Sequence, residues 1–291
     1  MLNPGFYCAL GTPLDQNGRL LPHSYARQIE QQIANGVSGL LSMGTMGIQG
    51  CVRSDQFRAV AATAVEAAAG RVPVMVGAFD NSIARMNERI SQLKGLDVAI
   101  VLTAPYYFEL SRPSVMKYFR SAAESWGGDV YIYDHPFTAR YKCNYPDMLE
   151  LMKIPNVKGI KTGDLVLLKA LMDTKGLRDD FTPIFSNSDL FVVGRTYGVK
   201  HYLDGIFACF PKTAGKAERA YAAGDFALGK ELIDSIMHAR DEMFVLGIWP
   251  AFTAAMNLLG CEGTFGPDYD TDFDDNRREK VRKILVNAGE L

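Results

Sequence analysis

Eight short apolar runs recur along the chain: FYCALGT (6–12), GLLSMG (39–44), VPVMVGA (72–78), VAIVLTA (98–104), VYIYDHP (130–136), VKGIK (157–161), TPIFSNS (182–188) and DGIFACF (204–210). Most are near-continuous in Val, Ile, Leu and Phe rather than alternating. That is the pattern of strands covered on both faces, as parallel strands flanked by helices are. Between them lie amphipathic stretches of helical length. SYARQIEQQIANG spaces Tyr25, Ile29 and Ile33 by four and stops at Gly36, a candidate C-cap. SDQFRAVAATAVEAAAG opens on Ser54, the expected N-cap, and closes at Gly70. Eight strand–helix units predict an α/β fold, a (β/α)8 TIM barrel over residues 1–224. Three further helix-like stretches predict a C-terminal helical extension over 225–291, packed on the barrel. A doubly wound sheet is the runner-up, but it rarely supplies eight even units, and no GxGxxG follows the first run.

Composition narrows the function. One α/β barrel routinely exceeds 200 residues, so 291 fit a single catalytic domain. The formal net charge is −2 and no dense basic run occurs, which argues against nucleic acid or an anionic membrane as partner. Five scattered cysteines without CxxC spacing read as reduced thiols, and no signal peptide or bilayer-length apolar run is visible. A cytoplasmic location is expected. The four histidines form neither HxH nor HExxH, and DYDTDFDD (268–275) lacks the glycine and closing glutamate of a calcium loop. No metal and no cofactor are expected.

Barrel enzymes place their chemistry at the C-terminal ends of strands. Lys161 ends the sixth run, where a buried cation is costly without a role. Few lysines in water carry a free amine at neutral pH, and a desolvated interior favours that form. Such an amine attacks a ketone and forms a Schiff base, an electron sink for making or breaking a carbon–carbon bond. The alternative is a lysine reaching to the barrel rim, as Lys158 is expected to do. Tyr133 ends the fifth run and offers a phenol for proton transfer, or is a core tyrosine satisfied by a carbonyl. The Gly44–Thr45–Met46–Gly47 turn after the second run is an anion-binding nest or a plain tight turn. Tyr106 and Tyr107, Asp134 and His135, Asn187 and Phe207 complete the set of strand-end candidates.

Taken in order, GVSGLLSMGTMG (36–47), TAPYYFELSRP (103–113), YIYDHP (131–136), GIKTGD (159–164) and GIFACF (205–210) resemble the dihydrodipicolinate synthase / N-acetylneuraminate lyase family of class I pyruvate-dependent aldolases. The resemblance spans nearly the whole chain. It implies Lys161 as the Schiff-base lysine, Tyr133 as proton shuttle, and Thr45 linking Tyr133 to Tyr107, which in the synthase branch comes from a neighbouring subunit. It also implies a homotetramer, a dimer of dimers, acting on a 2-keto acid and an aldehyde without cofactor. Substrate contacts are expected from Gly44, Thr45, Met46, Asp134, His135, Thr138, Asn187 and Phe207. The departures are informative. Met46 removes the second hydroxyl of the usual GTTGE turn, and Ile48 replaces its glutamate. Thr138 stands where the synthase branch has an arginine, with Arg140 two residues on, and KTGD is shorter than KEATGD. The expected reaction is carbon–carbon or carbon–oxygen cleavage of a 2-keto-3-deoxy sugar acid through a pyruvate imine. Synthase or N-acetylneuraminate lyase activity is the alternative, and a non-catalytic 2-keto-acid-binding protein the reading from another class.

Overall fold

A computed structural model describes residues 2–291. Strands β1 (Gly5–Ala9), β2 (Gly39–Ser42), β3 (Val74–Gly77), β4 (Ala99–Leu102), β5 (Val130–Asp134), β6 (Val157–Thr162), β7 (Thr182–Phe185) and β8 (His201–Asp204) close into a parallel barrel in chain order. Each is followed by a helix: α1 (Pro22–Ala34), α2 (Phe57–Ala68), α3 (Ile83–Gln92), α4 (Arg112–Trp126), α5 (Tyr145–Leu151), α6 (Leu165–Met172), α7 (Phe191–Thr196) and α8 (Pro211–Ala222). Helices α9 (Phe226–Leu246), α10 (Ile248–Leu258) and α11 (Asp275–Asn287) complete the chain. The architecture is therefore the (β/α)8 barrel with a C-terminal helical part that the apolar runs predict. No helix among the described residues is long and apolar enough to cross a membrane.

Packing groups the chain into two compact units, Val74–Leu203 with the residues up to Pro4, and Gly5–Pro73 with Asp204–Leu291. In the first, β5, β6 and β7 pair in parallel, with Tyr131 opposite Gly159 just after a register shift at Val130, and Gly159 opposite Thr182. A side chain at Gly159 would collide with the Thr182 carbonyl oxygen and the Tyr131 ring, so only glycine lets that ring cross the strand. Beyond β3, buried Asp80 accepts from Arg85 Nε and Arg89 Nε, both at 2.8 Å. Burial opposes the charge on Asp80, but the two guanidiniums outweigh it and hold its carboxyl below the usual range.

In the second unit the polar residues of α1 do structural work. Gln28 brackets the Gly11 peptide from both sides at 2.9 Å, and Tyr25 donates to Ser42 at 2.7 Å. Gly229 of α9 lies against the Tyr221 ring of α8. Buried Glu290 accepts from the Thr213 N–H at 2.8 Å and the Lys212 N–H at 3.2 Å, so the end of the chain caps the start of α8. Residues after 225 thus share a unit with α8, β1 and β2.

Two local expectations are corrected. Ser54 does not cap α2: the helix starts at Phe57 with Gln56 at its N-cap, and Gln56 instead accepts from the Leu20 N–H at 3.2 Å. The eighth strand is HYLD (201–204), not DGIFACF; Ile206–Ala208 form a 3₁₀ turn that leads into α8. Residues 205–210 are all buried, and a continuous apolar run does not distinguish a strand from a buried turn.

Candidate active site

In a strand, alternate side chains face opposite sides, and paired strands align theirs. The β5–β6 ladder pairs Tyr133 with Lys161, then Asp134 with Thr162. The two rungs therefore point to opposite faces, and their surroundings differ accordingly.

On the first face, Lys161 is buried to 6% exposure, and its Nζ lies 3.9 Å from the centroid of the Tyr133 ring. That contact sets an ammonium against the negative face of an aromatic. The His135 ring stacks on that of Tyr133, with centroids 5.0 Å apart and planes tilted by 11°. Burial, and secondarily the charge of Lys161, lowers the His135 pKa to about 4. At neutral pH this imidazole is neutral, with one ring nitrogen able to donate and the other to accept. An amine and a neutral imidazole thus both meet the ring of one phenol, a set able to attack a carbonyl and to move protons around it.

The second face is tied down by the protein itself. Asp134, expected to meet substrate, spends both oxygens internally: Oδ2 accepts from Thr162 Oγ1 at 2.8 Å and Lys142 Nζ at 2.6 Å, and Oδ1 from the Cys143 N–H at 3.0 Å. Burial works against the Lys142 charge, but Asp134 and Asp164 prevail and hold its pKa above the ordinary value. The period of two carries the signal for this: with Tyr133 and Lys161 on one face, Asp134 falls on the other.

The remaining expected residues of this unit are spread over its loops. Tyr107 is 72% exposed and edge-on to Phe108 at 4.8 Å. Its N–H and that of Tyr106 both donate to Asn81 Oδ1, at 3.0 and 2.9 Å, a support no sequence motif indicated. Thr138 is exposed and turns its hydroxyl to the His135 carbonyl at 3.3 Å. Asn187 Nδ2 donates to the Gly163 carbonyl at 3.4 Å, bridging the β6 and β7 ends.

In the other unit, the Gly44–Met46 turn is flanked by two non-glycine residues in the left-handed region, Met43 (φ 51°) and Ile48 (φ 44°). For a β-branched residue that conformation is strained, and strain of this kind gathers at functional turns. The turn is closed by the Ile48 N–H donating to the Thr45 carbonyl at 3.0 Å and by Thr12 Oγ1 donating to the Gly47 carbonyl at 2.7 Å. Met46 packs so closely on Gly205 that any side chain there would overlap it. Phe207 is fully buried, edge-on to Phe6 at 5.6 Å, and its carbonyl accepts from Gln32 at 2.9 Å. Its place is in the apolar core, because residue 207 lies in a turn rather than at a strand end. Among the described residues, no three His, Cys, Asp or Glu side chains converge as metal ligands.

The chain is similar to known proteins along its whole length. It is 29% identical to a 4-hydroxy-tetrahydrodipicolinate synthase of Ruegeria pomeroyi, over 97% of this chain and 98% of that one. It is 25% identical to another of Afipia carboxidovorans, over 99% and 97%. Among solved structures, its fold matches YagE, a prophage protein of the dihydrodipicolinic acid synthase family from E. coli K12 solved with pyruvate, with a TM-score of 0.90, 20% identity and full coverage of both chains. The dihydrodipicolinate synthase of Thermotoga maritima matches with a TM-score of 0.89 and 23% identity, again over both whole chains. The model of the dihydrodipicolinate synthetase family matches residues 3–287, and the chain belongs to that family.

Proposed function

We propose that the protein is a class I lyase that cleaves or forms a 2-keto acid through a Schiff base on Lys161. The observation that carries this reading is the buried Lys161 amine on the face of Tyr133, with neutral His135 stacked on the same ring. In the cleavage direction the amine adds to the C2 carbonyl of a 2-keto acid, and the carbinolamine loses water to give an iminium ion. A base takes the proton of the C4 hydroxyl, the C3–C4 bond breaks, and an aldehyde leaves. The bonding pair enters the iminium to give an enamine, which is protonated at C3 and hydrolysed to pyruvate and free lysine. Tyr133 is the proposed proton carrier for these steps, with Tyr107 and Thr45 as its relay. The strained Gly44–Met46 turn is the proposed cradle of the substrate carboxylate.

A 2-keto-3-deoxy sugar acid is the preferred substrate. Thr138, in place of an arginine, offers no charge to clamp a second carboxylate, whereas neutral His135 suits a sugar hydroxyl. Relatives at 25–29% identity carry the name of the synthase, and the loss of that arginine argues against its second substrate here.

Borohydride reduction in the presence of pyruvate, followed by peptide mass spectrometry, tests the reading. The expected result is a reduced pyruvyl adduct on Lys161, absent in Lys161→Ala, which also loses turnover. A folded wild-type protein that gives no adduct with pyruvate or any 2-keto-3-deoxy acid would overturn it in favour of a non-catalytic binding protein.

A further inference from the structure

On the face of the β5–β6 ladder turned away from Lys161, one buried carboxylate gathers three segments of chain. Asp134 at the end of β5 holds Thr162 at the end of β6, and also Lys142 and the Cys143 N–H of the following loop. Lys142 Nζ further donates to the Cys143 carbonyl at 2.8 Å and pairs with Asp164 at 3.2 Å. Asp164 caps α6 by accepting from the Leu167 N–H at 2.9 Å. Its own N–H donates to Thr162 Oγ1 at 3.0 Å. That hydroxyl accepts from one side and donates to the other, so its rotamer is fixed. The Thr162 carbonyl accepts from the Ser186 N–H at 2.9 Å, which fixes the peptide as well.

Thr162 directly follows Lys161, and only Gly163 and Asp164 separate β6 from α6. Any rotation of the Thr162 peptide is therefore passed to the lysine beside it.

We infer that Asp134, Thr162 and Lys142 form a positioning lock for Lys161, and that Asp134 acts on the reaction through Thr162 rather than by touching substrate; this rests on the Schiff-base reading of Lys161. A buried carboxylate with three donors is satisfied where it stands, and turning toward a substrate would break all three bonds. The lock also accounts for the short KTGD loop, because the strand passes into the helix without slack.

The test measures the rate of pyruvate-dependent borohydride trapping on Lys161 across variants whose folding is checked by thermal melts. Thr162→Val keeps shape and removes the hydroxyl; it is expected to slow trapping about 10–100-fold, with half-saturation by pyruvate within roughly threefold of wild type. Thr162→Ser is expected to recover to within about threefold, which a purely steric role would not produce. Asp134→Asn combined with Thr162→Val should cost little more than the worse single change, as members of one unit do. A folded Thr162→Val that traps within about twofold of wild type would overturn the lock. So would a rise of more than about tenfold in half-saturation for Asp134→Asn alone, since that marks substrate contact. If Thr162→Val does not fold, Lys142→Met takes its place, with a loss of about tenfold expected and a wild-type rate overturning the inference. If the wild type itself is not trapped, the Schiff-base reading fails separately. The lock is then judged by reductive methylation of Lys161 with formaldehyde and borohydride: a rate altered by more than about threefold in Thr162→Val supports it, and an unaltered rate overturns it.

Discussion

His135 shows how a single side chain ties stability to pH. Its folded pKa is about 4 against an ordinary 6.5, because burial and then the Lys161 charge disfavour the imidazolium. Between these values the unfolded chain binds the proton that the folded one refuses, so stability rises with pH through that window. The contribution is fully present above about pH 6.5 and is lost as the pH falls toward 4, a change of at most about 3 kcal/mol. Urea midpoints recorded from pH 4 to 7 should show this slope, and His135→Phe should flatten it. Of the residues at the site, Lys161 and Tyr133 could be picked out from strand-end position and chemistry alone. Asp134 is not placed by position and chemistry alone; only the alternation counted from Tyr133 puts it on the other face. Lys142, eight residues further on, enters the same cluster through a loop path that no local pattern encodes.

At the scale of elements, β6 was legible because VKGIK is short, apolar and bounded, whereas DGIFACF misleads because buried turns and buried strands share its composition. Capping at helix starts was not legible. Ser54 has the right chemistry in the wrong place, and Asp164 and Asn144, which the sequence pattern did not single out, cap α6 and α5, the latter reciprocally with Asp147. The glycine inside β6 has a function that propensity alone would count as a weakness. Gly159→Ala forces either the Thr182 peptide or the Tyr131 ring to move. It is expected to cost about 1–3 kcal/mol in chemical denaturation, the usual range for overpacking a tight site. Tyr131→Leu in the same background should return part of that loss, because it removes one of the two obstacles.

For the whole molecule, the eight-fold alternation of runs and helices was enough to reach the barrel. The compact units were not foreseeable, since Glu290 joins the residues after α11 to α8 through a contact distant in sequence. The surface of the first unit carries Tyr107, Phe108 and Phe137 at 72%, 61% and 94% exposure, a costly display of aromatic rings in water. The proposed assembly is a homotetramer in which a second copy covers these rings. Sedimentation equilibrium should then give a mass near four chains, and Phe137→Asp with Phe108→Ser should shift it toward smaller species. A monomer across the micromolar range would remove this part of the reading.

The two faces of the β5–β6 ladder also bear on how such a protein diversifies. The Tyr133–Lys161 rung and the Asp134–Thr162 rung are one residue apart, yet side-chain alternation turns them to opposite faces. On the proposed reading, substitutions at His135 or Thr138 explore new aldehydes while the opposite rung holds Lys161 in place. On that reading the division of labour makes the strand end evolvable: changes on the His135 side spare the Asp134–Thr162 contacts, whereas changes to those contacts reach Lys161.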